Sequence, residues 1–217
     1  MLGVIIMKKI LLHICCGPCA ITCVEALRDE GFAVTGLFYN PNIHPGQEYL
    51  RRREGALQVA QRMDFPLLFA GGDDLFEEYR PEDFFRAVAL KEEARCRECY
   101  RLRLDGLGRF ARENGFDLVT TSLLYSRYQQ HDLIRALGEE FCAPMPGEAP
   151  GCAGGGPCFY YCDFRTGWSR GITLSKKWNI YRQQYCGCIF SEAERYLKSS
   201  GDRAEPGAAT NDLAGAD

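Results

Sequence analysis

Residues 8–19 read KKILLHICCGPC, and a helical pattern follows them as far as Asp29. Residues 8–14 are a short apolar run of strand length. Cys15-Cys16-Gly17-Pro18-Cys19 carries the glycine and proline of a tight turn, and Gly31 sits where a helix C-cap belongs. A strand that runs through a turn straight into a helix opens a βα unit. Hence this stretch points to an α/β fold with its first loop, and both adjacent cysteines, at the carboxyl end of a strand.

Working outward, the alternation continues. Strands are expected over 33–39, 66–70, 117–123 and 159–164. Helices are expected over 47–63, 74–79, 81–89, 98–114, 126–137 and 175–185. Ser191-x-x-Glu194 reads as a capping box that opens a last helix. The fold class is therefore α/β, Rossmann-like, with a mostly parallel sheet, flanking helices and a helical, cysteine-bearing C-terminal part. Residues 1–198 read as a single catalytic domain, interrupted at 142–157 by a Gly/Pro-rich insertion. Residues 199–217, rich in Ala, Gly and Asp, read as a disordered acidic tail.

The 217 residues suit one domain with a large core. The longest apolar run is far short of the roughly 20 residues of a membrane span, so no membrane partner is expected. The amino terminus lacks the pattern of a signal peptide, because its charges follow the first apolar residues. That points to the cytoplasm, where cysteines serve metal or redox chemistry more often than structural disulfides. The net charge of -3 comes from the tail, where Asp202, Glu205, Asp212 and Asp217 oppose Arg203 alone. Residues 164–191 contain no acid but carry Arg165, Arg170, Lys176, Lys177 and Arg182, interleaved with Trp168, Trp178, Tyr181 and Tyr185. Basic and aromatic side chains together suit phosphate contact and base stacking. Arg51-Arg52-Arg53 reads first as a solvated helix face and second as a further phosphate contact.

Six of the twelve cysteines fall in three tight pairs, Cys15-Cys16, Cys96-x-x-Cys99 and Cys186-x-Cys188. Two pairs supply the four thiolates that zinc or an iron–sulfur cluster needs. Cys96 and Cys99 fall near a helix start, where the N-terminal dipole favours thiolate. Cys186 and Cys188 suit a strained, easily reduced disulfide or a ligand pair for a second metal. Cys19 is within reach of the first pair, while Cys23 reads as core. Cys142, Cys152, Cys158 and Cys162 crowd the insertion, but their irregular spacing makes an accessory zinc site the lesser reading. Among proton donors, His44 lies in a loop beside Asn40 and Asn42, His13 lies on a buried strand, and Tyr125 and Asp163 are further candidates.

These pairs sit within longer motifs. In order they are Leu11-Leu-His-Ile-Cys-Cys-Gly-Pro-Cys19, Phe38-Tyr-Asn-Pro-Asn-Ile-His-Pro45, Glu48-Tyr49 and Arg95-Cys-Arg-Glu-Cys-Tyr-Arg-Leu-Arg-Leu104. Thr120-Thr-Ser-Leu-Leu124, Asp163-Phe-Arg165 and Tyr181-Arg-Gln-Gln-Tyr-Cys-Gly-Cys-Ile-Phe-Ser-Glu192 follow. From about Lys8 to Leu197 the chain resembles the cobalamin-independent epoxyqueuosine reductases of the QueH type. The resemblance implies a sheet related to the adenine-nucleotide hydrolases. It implies an oxidoreductase for the last step of queuosine biosynthesis, in which epoxyqueuosine in a tRNA anticodon loop loses its epoxide oxygen. It places a [4Fe–4S] cluster on Cys15, Cys16, Cys96 and Cys99 and makes Cys186 and Cys188 redox-active. Cys19 and Cys188 become ligand candidates for a second, mononuclear iron. An electron donor, which the sequence does not identify, is required. Three rivals stand beside this reading: a redox-inert zinc protein that binds RNA, a thiol–disulfide oxidoreductase using Cys96 and Cys99, and a nucleotide-hydrolysing or adenylating enzyme. Against the last, the first loop has cysteines where a phosphate cradle needs small residues.

Overall fold

Ile10, Leu11 and Leu12 are completely buried, as a run of alternating faces can be only when both sides of the sheet are covered. This strand, β1 (Lys8–His13), is the centre of the sheet in the computed structural model, which describes residues 8–72, 74–89, 91, 94–142 and 157–197. The acidic tail, most of the Gly/Pro-rich insertion and Cys152 lie outside the described residues.

Five parallel strands take the order β3-β2-β1-β4-β5, with β2 at Phe32–Phe38, β3 at Leu67–Phe69, β4 at Leu118–Thr121 and β5 at Cys158–Phe159. Helix α1 (Gly17–Asp29) crosses from β1 to β2, and α2 (Gly46–Met63) from β2 to β3. The chain then jumps back over β2 and β1 through α3 (Leu75–Glu78), α4 (Pro81–Val88) and α5 (Arg95–Glu113) to reach β4. Right-handed crossovers put α1 and α2 on one face, and α5 and α6 (His131–Phe141) on the other. The direction reverses between β1 and β4, so the crevice past their carboxyl ends is the switch point where such sheets place their chemistry. Cys15 follows β1 there, Ser122 follows β4, and the Cys15 amide donates to Ser122 Oγ at 3.1 Å. The reading of a Rossmann-like α/β sheet therefore holds.

One contiguous core joins β1, α1, α2 and β4. A smaller cluster of Phe84, Val88 and Cys99, with Leu102, Cys188 and Phe190 against it, sits under α4, α5 and α8 (Ile189–Tyr196). Gly17 makes the closest approach between helices. A Cβ there would stand 2.3 Å from the Gly55 carbonyl oxygen, so α1 meets α2 backbone to backbone.

The C-terminal third departs from expectation. The helix expected over 175–185 is α7 (Trp168–Lys177), and residues 178–188 are irregular. Asn179 takes a left-handed φ of 54° that ends the helix. The last strand ends at Phe159, because Asp163 accepts the Arg165 amide and turns the chain into a 3-10 helix at Phe164–Gly167. The helix expected over 126–137 starts only at His131 and ends at Phe141. Ser191 does not open the last helix. The Cys188 sulfur is the N-cap and accepts from the Ser191 amide, while the Ser191 hydroxyl turns back to the Cys188 carbonyl at 2.8 Å.

Candidate metal and active site

Cys15, Cys16 and Cys19 carry sulfurs that all lie within 4.8 Å of one another, the one such group of three metal-ligating side chains among the described residues. Cys16 caps α1, and its sulfur accepts the Cys19 amide at 3.4 Å. Pro18 fixes the first turn of the helix, so residues 16 and 19 face one another, and Cys16 and Cys19 are in disulfide contact. The Gln183 side-chain amide reaches both sulfurs, at 3.2 and 3.6 Å. Cys23, one turn on, is fully buried and donates to the Cys19 carbonyl, as expected of a core residue.

A second group lies across a small cleft. Cys96 and Cys99, in the first turns of α5, line it together with Cys186, Cys188, Phe84, Arg95, Tyr100 and Arg103. Segments 96–99 and 186–188 thus meet in this cleft, and Cys15 of segment 15–19 is near enough to feel the charges of Cys186 and Arg103. Cys188 joins the α5 pair, and Cys19 joins Cys15 and Cys16. All four thiols of the cleft are free. Burial opposes the expectation that the helix start would hold Cys96 and Cys99 as thiolates. Burial pushes Cys99 up to about 12 and raises Cys96, and the dipole does not compensate. Burial raises Cys15 as well. These are neutral thiols that a metal would deprotonate on binding.

Two buried arginines organise the cleft. Arg52, 2% exposed, pairs with Glu48 at 2.7 Å and donates to the carbonyls of Cys186 (3.0 Å) and Tyr185 (2.9 Å). Glu48 also accepts the Tyr181 hydroxyl. Gly187, at φ 128°, packs with its α-carbon face against Arg52, and its carbonyl accepts the His44 amide at 2.7 Å. The Cys-Gly-Cys turn is therefore fixed by α2 and the 40–45 loop. The triple arginine is not a solvated face. Arg52 is core, Arg53 pairs with Glu78 at 2.9 Å, and only Arg51 is exposed. Arg103, also 2% exposed, is the second, and no carboxylate pairs with it among the described residues. Its donors go to the Cys99 carbonyl (3.1 Å) and the Cys99 sulfur (3.3 Å).

The proton-donor candidates fare unequally. The His44 ring is buried against Phe84 and Phe85, neither nitrogen makes a hydrogen bond of good geometry among the described residues, and burial lowers it to about 4 against a weaker opposing influence of the Asn42 backbone. His13 is bonded to Thr121 Oγ1 at 2.8 Å and the Tyr39 carbonyl at 3.0 Å, and burial lowers it to about 3. Burial disfavours the charged form of both rings. The paired Arg165 holds Asp163 down to about 2, so it is ionised, and no hydrogen bond joins it to a cysteine. Tyr125 donates to the Trp168 carbonyl, away from the cleft. His131 is buried at the start of α6 and its Nε2 bonds the Ser126 carbonyl, a structural role. Cys142 packs against Leu104 and Gly108, and no metal-ligating group of three includes Cys142, Cys158 or Cys162 among the described residues. Sequence reasoning missed Arg52, Arg103, Gln129 and Gln183. Gln129 accepts from the Tyr100 hydroxyl at 2.7 Å and points its amide at Cys186. The signal was present for the arginines: each stands four residues after a partner, Glu48 or Cys99, on the same helical face.

On the basic segment, Arg165 and Arg170 are neutralised by Asp163 and Glu25, whereas exposed Lys176 and Lys177 make no ion pair among the described residues. Trp168 stacks on Tyr125 and Trp178 lies under Arg62, so both are partly packed rather than free platforms. No described helix is long and apolar enough to cross a membrane.

Comparison with known proteins agrees with this geometry. Residues 10–194 match the family model described as epoxyqueuosine reductase QueH. Among relatives bearing that name, one from Dehalococcoides mccartyi is 32% identical over 190 residues, 88% of this chain and 96% of its own length. One from Thermotoga maritima is 34% identical over 199 residues, 88% and 94%. One from Histophilus somni is 34% identical over 194 residues, 85% and 72%. The converging cysteine segments all fall within the matched span, and the chain belongs to the epoxyqueuosine reductase QueH family.

Proposed function

We propose that this protein is an oxidoreductase that reduces epoxyqueuosine in tRNA to queuosine, with its metal centre on the converging thiols. The carrying observation is that Cys96/Cys99 and Cys186/Cys188, distant in sequence, line one cleft with a buried arginine, Arg103, on whose charge Cys15 also acts and which has no acid partner among the described residues. Such a donor set fits an anionic, thiolate-ligated group, since the buried guanidinium supplies the balancing charge. Cys15, Cys16, Cys96 and Cys99 would hold a [4Fe–4S] cluster in this reading, once the Cys16–Cys19 disulfide is reduced; Cys19 is then left for a mononuclear iron, and Cys188 serves the dithiol with Cys186. When bound, the cluster supplies single electrons from an outside donor.

The rest follows from the chain's own groups. Deoxygenation of an epoxide to an alkene consumes two electrons and two protons and releases water. The Cys186 and Cys188 thiols, forming a disulfide, give up two electrons and two protons, which balances the step. Both are free, Cys186 is exposed at the mouth, and Arg52 holds the turn that presents them. The histidines and Asp163 need not donate, which agrees with their charge states. Lys176 and Lys177 contact tRNA phosphates, and the reaction runs in the cytoplasm, where tRNA is modified and thiols stay reduced.

Anaerobic reconstitution with iron and sulfide, followed by assay on epoxyqueuosine-containing tRNA, tests the reading. A brown, active protein is expected, with activity lost in Cys15→Ala/Cys16→Ala. Full activity in that double variant refutes the cluster assignment, and a colourless zinc protein without reductase activity refutes the function.

A further inference from the structure

We infer that Arg103 is the counter-cation of the thiolate-bound centre, a positioning residue that favours its reduced, more negative state. The inference rests on the cluster proposed above.

A guanidinium only 2% exposed needs an anion close by, because burial of an unpaired charge is strongly unfavourable. Arg52 shows what this protein does when it buries an arginine for structure: it supplies Glu48 at 2.7 Å. Arg103 has no such acid among the described residues. Its Nη2 points instead at the Cys99 sulfur, at 3.3 Å, and its Nε is tied to the Cys99 carbonyl at 3.1 Å. Tyr100 lies against it, with 5.5 Å from Cζ to the ring centroid. Cys99, Cys186 and Cys15, one from each converging segment, are the thiols that act on its charge. With no carboxylate beside it among the described residues, and with its Nη2 on the Cys99 sulfur, Arg103 has its anion when a thiolate-ligated metal centre lies there.

Arginine suits the position better than lysine. It stays charged when buried, and its planar fork reaches a carbonyl and a sulfur at once. A hydrogen bond to a ligand sulfur and a fixed positive charge both stabilise the added electron, which raises the reduction potential. A centre held there would take one electron from an outside one-electron donor, with no bond broken and no proton taken up, and Arg103 would stabilise the added charge.

The test is an EPR-monitored redox titration of reconstituted wild type, Arg103→Gln and Arg103→Lys. Arg103→Gln is expected to load iron and sulfide yet to be harder to reduce by at least tenfold in the equilibrium, about 59 mV for a one-electron couple. Arg103→Lys is expected to lie between. Loading of Arg103→Lys but not of Arg103→Gln also supports the charge requirement. Wild-type potentials in both loaded variants overturn the inference. Where neither variant loads, wild-type protein carrying 15N-arginine decides by pulsed EPR of the reduced cluster. A 15N coupling supports the guanidinium–sulfur contact, and its absence overturns it. A wild-type protein that takes up no iron and sulfide overturns the cluster reading itself, and this inference with it.

Discussion

Replacing Arg52 with methionine should loosen the Cys-Gly-Cys turn and destabilise the fold together. The guanidinium sits 2.7 Å from Glu48 and donates to the carbonyls of Tyr185 and Cys186, with almost no solvent access. Methionine fills much of the arginine stem's volume, so the loss is mainly electrostatic. Removing one partner of a buried pair typically costs about 3–5 kcal/mol, because the other charge is left uncompensated. Glu48 keeps only the Tyr181 hydroxyl, and two carbonyls lose their donor. An Arg52→Met destabilisation of about 3–5 kcal/mol in urea melts is therefore expected. Adding Glu48→Gln removes the stranded charge, and the double variant should recover at least about 1 kcal/mol over Arg52→Met. Alkylation rates of Cys186 should rise in Arg52→Met, reporting the released turn. A cost below about 1 kcal/mol, or a double variant no more stable than the single, would show that the Glu48–Arg52 pair does not hold the turn.

Three further outcomes are expected. Gly17→Ala places a Cβ 2.3 Å from the Gly55 carbonyl oxygen, backbone that cannot step aside, and should cost at least the roughly 1–3 kcal/mol of overpacking. Gly55→Ala, whose nearest contact is 3.4 Å, should cost far less, as read by thermal melts of both. His44 is held near 4, below its unfolded value of 6.5, so the unfolded chain binds the extra proton. The resulting stability is complete above pH 6.5 and is lost as pH falls from there to about 4, a change of roughly 3 kcal/mol. His44→Phe keeps the stack on Phe84 and Phe85, should flatten that limb, and should stabilise the protein at pH 7; an unchanged limb in urea melts taken from pH 7 to 4 would count against it. Lys176→Glu/Lys177→Glu should weaken tRNA binding and flatten its salt dependence in a filter-binding titration, since two phosphate contacts are removed; unchanged binding across the titration would withdraw both lysines from the interface.

Where the sequence was legible, local pattern and fold agreed. The apolar run at 8–14, the glycine–proline turn and the cysteines after it located β1, α1 and the switch-point crevice, because strand burial and turn chemistry are encoded in neighbouring residues. The amphipathic pattern of α2 was equally plain, but its meaning was not. Arg51, Arg52 and Arg53 are chemically identical, and only tertiary contacts decide that the first meets solvent, the second the Cys-Gly-Cys turn and the third Glu78. Residues 178–185 read as the continuation of a helix. The carbonyls of Tyr185 and Cys186 are instead turned toward Arg52, an interaction across more than a hundred residues that no local window contains.

The same reasoning explains why the cysteine spacing was informative about ligands but not about charge. Spacing put Cys96 and Cys99 on one helix start, and the dipole argument then favoured thiolates. The fold packs Cys99 into a small core with Phe84 and Val88, and that desolvation outweighs a half-charge at the helix end. Burial thus disfavours thiolates at Cys15, Cys96 and Cys99 beside a buried cation that has no carboxylate partner among the described residues. Metal binding would release the protons of these three thiols and supply negative charge to Arg103. Loading should accordingly be steeply favoured by rising pH, and the loaded protein should be more stable than the empty one.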